Sequence, residues 1–318
     1  MTTVDRYGSE MVEELYPLVQ HYRFNPYRDY RVFSADMQVR ILHTELAGFA
    51  AQTDAIVNFI AKPATAIVAR PLAWDSAFFQ RPMARIDVIL GEDAAAREAI
   101  LADCLEKLRR ASMRHVSMQI DAADIATAVL LERHGFRLTG GTLTYVARPG
   151  KDPLKLVRSV GTIRDFRDGD APEVMAIAQQ SLAQMPGRFR MDANLPTDRV
   201  DAFYIEWTRR CLAFEMADRV LVSEGRDGRL LGFLAGRWRE PVSTDSGVPI
   251  LSGGLGACRP DVKGAYLGLM HEIVSWTHGK RGVPEAQTQN YNFAAIHVFE
   301  SIGLRLVRSD YQFVLSLD

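Results

Sequence analysis

One segment of this chain occurs twice. Asp124-Ile-Ala-Thr-Ala-Val-Leu-Leu-Glu132-Arg-His-Gly135-Phe136 is echoed by Asn292-Phe-Ala-Ala-Ile-His-Val-Phe-Glu300-Ser-Ile-Gly303-Leu304. Glu132 maps to Glu300 and Gly135 to Gly303, a spacing of 168 positions (132 to 300, 135 to 303) in 318 residues. Solenoids repeat every ~20–50 residues, so a period of half the chain predicts two copies of one fold instead. Each half is long enough to bury its own core. The expected domains are 1–152 and 153–318, divided near the polar, proline-broken stretch Ala147-Arg-Pro-Gly-Lys-Asp-Pro153.

The context of each copy agrees. Ile100, Leu101, Cys104, Leu105 and Leu108 recur at helical spacing within 97–112, and His115–Ile120 alternates as a strand does. A helix follows, opened by the capping carboxylate of Asp124 and closed at Gly135, before a strand over 142–147. The second copy repeats this order: a helix over 267–277, a short strand over 286–289, a helix over 292–302 ended by Gly303, and a final strand over 312–316. It also shows the opening elements. These are a strand over 161–166, a helix over 171–184, and two strands (219–224 and 230–236) joined by a turn containing Asp227-Gly228. The order is β-α-β-β-β-α-β-α-β. The fold class expected is α+β, with two tandem domains, each a mixed and mostly antiparallel twisted sheet flanked by helices.

Composition excludes several classes of function. The 38 Lys+Arg balance 39 Asp+Glu, a net charge of −1, which argues against a broad basic face for nucleic acid or an anionic membrane surface and leaves room only for a local basic patch. The most apolar region, 46–61, is interrupted by Gln52, Thr53, Asp54 and Asn58, which rules out a membrane-spanning helix there. The N-terminal residues lack a basic segment followed by an apolar one, so no secretory signal is expected. Cys104, Cys211 and Cys258 are odd in number and far apart, which supports neither a disulfide framework nor a thiolate metal site. No metal is expected, and a cytoplasmic location follows as the default.

The element order, with a helix ending Glu-x-x-Gly, resembles the GNAT superfamily of acyl-CoA-dependent N-acyltransferases. The resemblance covers residues 153–318 and only the later elements of the first half. It implies acetyl-CoA, or another short acyl-CoA, as the donor and a small-molecule amine as the acceptor. Such proteins carry Arg/Gln-x-x-Gly-x-Gly/Ala before a helix whose backbone amides receive the CoA pyrophosphate. The physics is that of an anion at a helix N-terminus. The matching stretch is Lys263-Gly264-Ala265-Tyr266-Leu267-Gly268, with Tyr266 at the middle glycine position. As an alternative, Gly264 and Gly268 only shape a turn and permit close helix packing. The preceding strand, 250–258, resembles the one that lies along the pantetheine arm. Its last residues, Gly256, Ala257 and Cys258, join the implied donor site, and its glycines suit close approach of a ligand or a bulge. Cys258 reads as a small apolar core residue, not a nucleophile. The motif Asn-x-x-Ala-x-x-Leu-Tyr-Glu-x-x-Gly is met by Asn292, Ala295, Val298, Phe299, Glu300 and Gly303. The resemblance assigns Asn292 to the pantetheine and to the catalytic machinery, and places Phe299 beside the donor where a tyrosine acid is usual. Phe299 has no proton to give. His297 lies about 140° around the helix from Asn292 and is expected to face away.

A third region narrows the likeness. Leu72-x-Trp74-Asp75-Ser76-x-Phe78-Phe79, with Arg188-Phe189-x-x-Asp192 and Tyr204-x-x-Trp207, resembles the TDP-fucosamine acetyltransferase group. This resemblance implies an amino sugar nucleotide as acceptor (dTDP-4-amino-4,6-dideoxygalactose in that group), bound by Arg188, Phe189, Arg190, Tyr204 and Trp207. Aromatic rings can stack a sugar or base, and Arg188, Arg190 and Arg199 can pair with a pyrophosphate. The same residues can equally be core aromatics and solvated arginines, and Trp74 and Asp75 are read as structural. The first half has Gly91-Glu-Asp-Ala-Ala-Ala96 where a phosphate loop would stand. Two carboxylates there repel a pyrophosphate, so this half is expected to bind no CoA. Two other readings stay open: an acyltransferase acting on a secondary-metabolite amine, and a catalytically inactive binding or regulatory protein with this fold. A homodimer is compatible with either.

Overall fold

The computed structural model describes residues 9–52, 54–151, 154–155, 157–182, 187 and 189–317. In chain order the first elements are α1 (Ser9–His21), α2 (Ala35–Ala50), β1 (Ile56–Ala61), β2 (Ala64–Pro71), α3 (Ala73–Phe79), β3 (Met83–Leu90), α4 (Ala94–Arg110), β4 (His115–Asp121), α5 (Ile125–Arg133) and β5 (Arg137–Val146). They are followed by β6 (Thr162–Asp165), α6 (Ala171–Ser181), α7 (Thr197–Leu212), β7 (Arg219–Glu224), β8 (Leu230–Trp238), α8 (Glu240–Ser246), β9 (Ile250–Cys258), α9 (Ala265–Gly279), β10 (Val283–Gln289), α10 (Phe293–Ile302) and β11 (Arg305–Ser316). The fold is α+β. Among the described residues no helix is long and apolar enough to cross a membrane.

The repeat is geometric as well as sequential. β4 and β10 open at His115 and Val283, α5 and α10 at Ile125 and Phe293, and β5 and β11 at Arg137 and Arg305, each pair separated by the same spacing as the sequence echo. The cause is local. Asp124 Oδ1 accepts from Thr127 N at 3.0 Å, and its counterpart Asn292 Oδ1 accepts from Ala295 N at 3.2 Å, so the same position caps both helices. Gly135 (φ +83°) and Gly303 (φ +96°) end them in the left-handed conformation that glycine adopts without strain.

The chain forms two compact units, residues 1–141 with 309–318, and residues 142–308. Their limits differ from a division at 152/153, because the last strand of each copy crosses over. In the first unit β1, β2 and β3 pair antiparallel, β3 and β4 parallel, and β4 pairs antiparallel with the end of β11, Asp310–Ser316. In the second unit β6 to β9 pair antiparallel, β9 and β10 parallel, and β10 pairs antiparallel with the end of β5, Thr142–Val146. β5 and β11 are the same strand of the repeat, so exchanging them preserves every ladder while placing part of each copy in the other's sheet.

Each unit has its own core. The first packs Ile100, Leu101, Cys104, Leu105 and Leu108 of α4 against strand residues that include Phe313 and Leu315 of β11. The basic last turn of α4 (Lys107, Arg109, Arg110) complements the helix dipole. The second packs Leu269, Met270, Ile273 and Val274 of α9 with Ala295, Phe299 and Ile302 of α10 and Leu234 and Leu251 of the sheet. The three cysteines are free, Cys104 and Cys211 buried and Cys258 half-buried.

Candidate active site

In the second unit the parallel ladder between β9 and β10 is short. It runs from Ile250 opposite Val283 to Gly253 opposite Ala286 and stops, although β9 continues to Cys258 and β10 to Gln289. Beyond that point β9 still pairs with β8 (Gly256 with Leu234, Ala257 with Phe233, Cys258 with Gly232) and β10 with β5. The facing edges of β9 and β10 therefore diverge into a slot lined by main-chain amides and carbonyls. An extended ligand rich in amide groups can complete such edges.

The glycines of β9 explain how the slot begins. A Cβ at Gly253 would sit 3.3 Å from Glu285 O, and one at Gly254 3.3 Å from Ala235 O. The register against β8 shifts between Leu234 and Gly236, the irregularity that turns β9 away from β10. Gly256 has a packing reason: a Cβ there would be 2.8 Å from Leu234 Cδ1 and 3.0 Å from Tyr266 Cε2, so the Tyr266 ring lies over this strand. Burial first, and Cys258 second, hold the Tyr266 phenol above the usual tyrosine range. The carbonyl of Cys258 accepts from Ser181 Oγ at 2.7 Å, and burial pushes the Cys258 thiol up to about 12.

Past the end of β9 the chain turns at exposed Lys263 and Gly264 into α9. Gly264 adopts φ +88° at the N-cap, and no side chain caps this helix. The first-turn amides of Ala265, Tyr266 and Leu267 thus keep their donor capacity, with the positive end of the dipole and Lys263 beside them. This is an anion site in kind. Gly268 serves packing: a Cβ there would run into Ser159 Oγ.

On α10, Asn292 uses its side-chain oxygen as the cap, leaving its amide nitrogen as the donor able to reach a ligand. Phe299 is 1% exposed, in the core, its ring 5.4 Å from that of Tyr145, whose hydroxyl donates to Glu300 Oε1 at 3.3 Å. His297 is exposed, with Nε2 3.5 Å from Ser301 Oγ.

The expected acceptor residues gather on α7 and the segment before it. Phe189 is buried with its ring 4.5 Å from Phe203, and Arg190 pairs with Asp201. The rings of Tyr204 and Trp207 stack at 6.4 Å and 21°. Arg188 lies outside the described residues. The sequence reading missed two neighbours. A Cβ at Gly187 would lie 2.5 Å from the Tyr204 hydroxyl and 3.9 Å from Gln289 Nε2. Tyr291 is 37% exposed, its phenol held above the usual range by burial and then by Tyr204. Gln289 ends β10 and Tyr291 lies in the turn just before Asn292, a position where side chains beyond open parallel strands meet ligands, and that placement was the available signal. Glu285, buried near the vertex of the slot, accepts from Arg239 Nη1 at 2.9 Å.

No family model and no curated protein matches the chain. Solved structures do. A GCN5-related N-acetyltransferase from Sphaerobacter thermophilus aligns over 99% of this chain and 95% of its own at 12% identity and a TM-score of 0.65. A tandem GNAT protein from the clavulanic acid biosynthesis pathway aligns over 99% and 98% at 12% identity and a TM-score of 0.54. A GCN5-related glucosamine N-acetyltransferase region in a fungal multi-domain GH3 beta-N-acetylglucosaminidase aligns over 99% of this chain and 38% of that one, at 9% identity and a TM-score of 0.60. At such identities the likeness is one of fold: the chain has the GNAT fold, in tandem.

Proposed function

We propose that the second unit is an acyl-CoA-dependent N-acyltransferase, transferring an acetyl or other short acyl group to the primary amine of an amino sugar nucleotide in the cytoplasm. The observation that carries the reading is the slot between β9 and β10 with the uncapped N-terminus of α9 beyond its open end. Residue types and backbone there fit the donor. Lys263 and the first amides of α9 would hold the pyrophosphate, the free edges of β9 and β10 the pantetheine amides, and Asn292 Nδ2 a pantetheine carbonyl. Bound there, the acyl-CoA supplies an electrophilic thioester carbonyl. Tyr204, Trp207 and Tyr291 would face the acceptor, whose neutral amine attacks directly. Cys258, a neutral thiol whose carbonyl is tied to Ser181, takes no covalent part. Phe299 gives no proton, so water takes the proton that the attacking amine loses and passes one to the departing thiolate, and the rate comes from holding amine and thioester together.

The amino-sugar acceptor rests on the Arg-Phe and Tyr-x-x-Trp motifs, and the glucosamine acetyltransferase region with the same fold is compatible with it. An amine of secondary metabolism is the alternative that the clavulanic acid pathway neighbour suggests. The burial of Phe299 is the observation that favours an inactive binding protein. A mass-spectrometric screen of amino sugar nucleotides with acetyl-CoA decides. An acylated product with the expected mass supports the proposal, and acylation of other amines alone rejects the acceptor. Absence of thermal stabilisation at millimolar acetyl-CoA rejects the donor site.

A further inference from the structure

The two units differ most where the second opens its slot. In the first, β3 and β4 also pair in parallel for four residues, from Met83 opposite His115 to Ile86 opposite Met118, and then part. Beyond that fork the chemistry is inverted. Asp93 caps α4, its Oδ1 accepting from Ala96 N at 2.7 Å, so the helix terminus that could face an anion already holds a carboxylate of the chain. Exposed Glu92 stands beside it. Arg97, one turn further on, donates to Thr127 Oγ1 and lies 3.9 Å from Asp124 Oδ2, so it spans from α4 to the start of α5.

The space is nevertheless not filled. A cavity of ≈ 1170 Å³ remains between these helix starts, the end of β3 and the stretch after α1, somewhat larger than the usual range for small-molecule sites (about 300–1000 Å³). Its walls include Leu18, Tyr22, Phe24, Ile89 and Ile125. The charges on it are unequally engaged. Asp93 and Asp124 both cap helices, and Asp124 also faces Arg97. Arg23 at the rim has its guanidinium 5.9 Å from the Phe24 ring and, among the described residues, no carboxylate partner. Arg97 lines the same cavity with its side chain 13% exposed, so the accessible part of its guanidinium can meet an acceptor oxygen. Glu92 penalises any ligand carrying several negative charges.

We propose that the first unit binds a small organic monocarboxylate with an aromatic or aliphatic body, its carboxylate toward Arg97 and Arg23 and its body on the apolar wall, and that it excludes CoA. This site is independent of any activity of the second unit. The test is fluorine NMR of para-fluorophenylacetate with the full chain. Saturable binding is expected, weakened roughly fivefold or more by Arg23→Gln. Ala126→Trp, which introduces bulk at an exposed cavity-lining residue, is expected to abolish it, with circular dichroism unchanged. Neither acetyl-CoA nor para-fluorophenethylamine is expected to displace the probe. The proposal is overturned by absence of saturable binding, by binding indifferent to both substitutions, by tighter binding of the amine, or by displacement with acetyl-CoA.

Discussion

Three residues of the proposed donor site answer to different physical tests. Asn292 both caps α10 and offers a donor. Asn292→Ala is expected to lower stability by about 1 kcal/mol, whereas Asn292→Asp keeps the cap and removes the donor. The aspartate variant should therefore melt like the parent and yet show a raised KM for acetyl-CoA. Phe299 sits where the sequence resemblance implies a tyrosine acid, but its ring packs in the core against Tyr145. Restoring a hydroxyl there buries it, so Phe299→Tyr is expected to destabilise the protein by about 1–3 kcal/mol without raising kcat. The raised thiol pKa values, about 12 for Cys104, Cys211 and Cys258, predict the reverse of a reactive nucleophile. At pH 8 the thiolate is roughly a thousandfold scarcer than for a free cysteine. A disulfide reagent should label the folded chain slowly and the unfolded chain at once; fast labelling of Cys258 would reopen a covalent route.

At the scale of elements, contacts of β6 and α9 govern how the second unit is assembled. Arg164 of β6 donates to Asp170 Oδ1 and Oδ2 at 2.9 and 2.7 Å, just ahead of α6. The hydrogen bonds from Arg164 hold the Asp170 carboxyl below the usual carboxylate range. A depressed carboxylate pKa contributes stability above the unfolded value, about 3.9, and loses it as pH falls through the folded value. Asp170→Asn should thus cost about 2 kcal/mol at pH 7, and the difference from the parent should shrink below about pH 4, read by urea unfolding at each pH. Gly268 tests whether a motif glycine serves the ligand or the packing. Gly268→Ala drives a methyl into Ser159 Oγ and should cost about 1–3 kcal/mol. Ser159→Gly in the same chain should recover most of that loss, a coupling that a pure phosphate-binding role would not produce.

For the whole molecule the exchanged strands matter most. Phe313 belongs to the second copy by sequence and to the first unit's core by position. Phe313→Ala is expected to cost about 3–5 kcal/mol and to lower hydrogen-exchange protection in β4, its ladder partner, while leaving β7 and β8 protected. Equal loss in β7 and β8 would mean that the two units unfold as one.

Much of this was legible without coordinates. The echo between 124–136 and 292–304 determined the repeat, because capping residue, apolar spacing and terminal glycine are short-range devices written within one helix. The glycine-rich strand and the Lys263–Gly268 turn were legible for the same reason. Four things depended on tertiary contacts: the crossing of β5 and β11, the fork after Gly253, the ring of Tyr266 over Gly256, and the cavity behind Arg97. Strand partners are chosen between segments far apart in sequence, and two equivalent final strands offer the same hydrophobic alternation to either sheet. The residues therefore specified two copies of one fold, and only the packed structure decided which copy completes which sheet and which helix start is left open to a ligand.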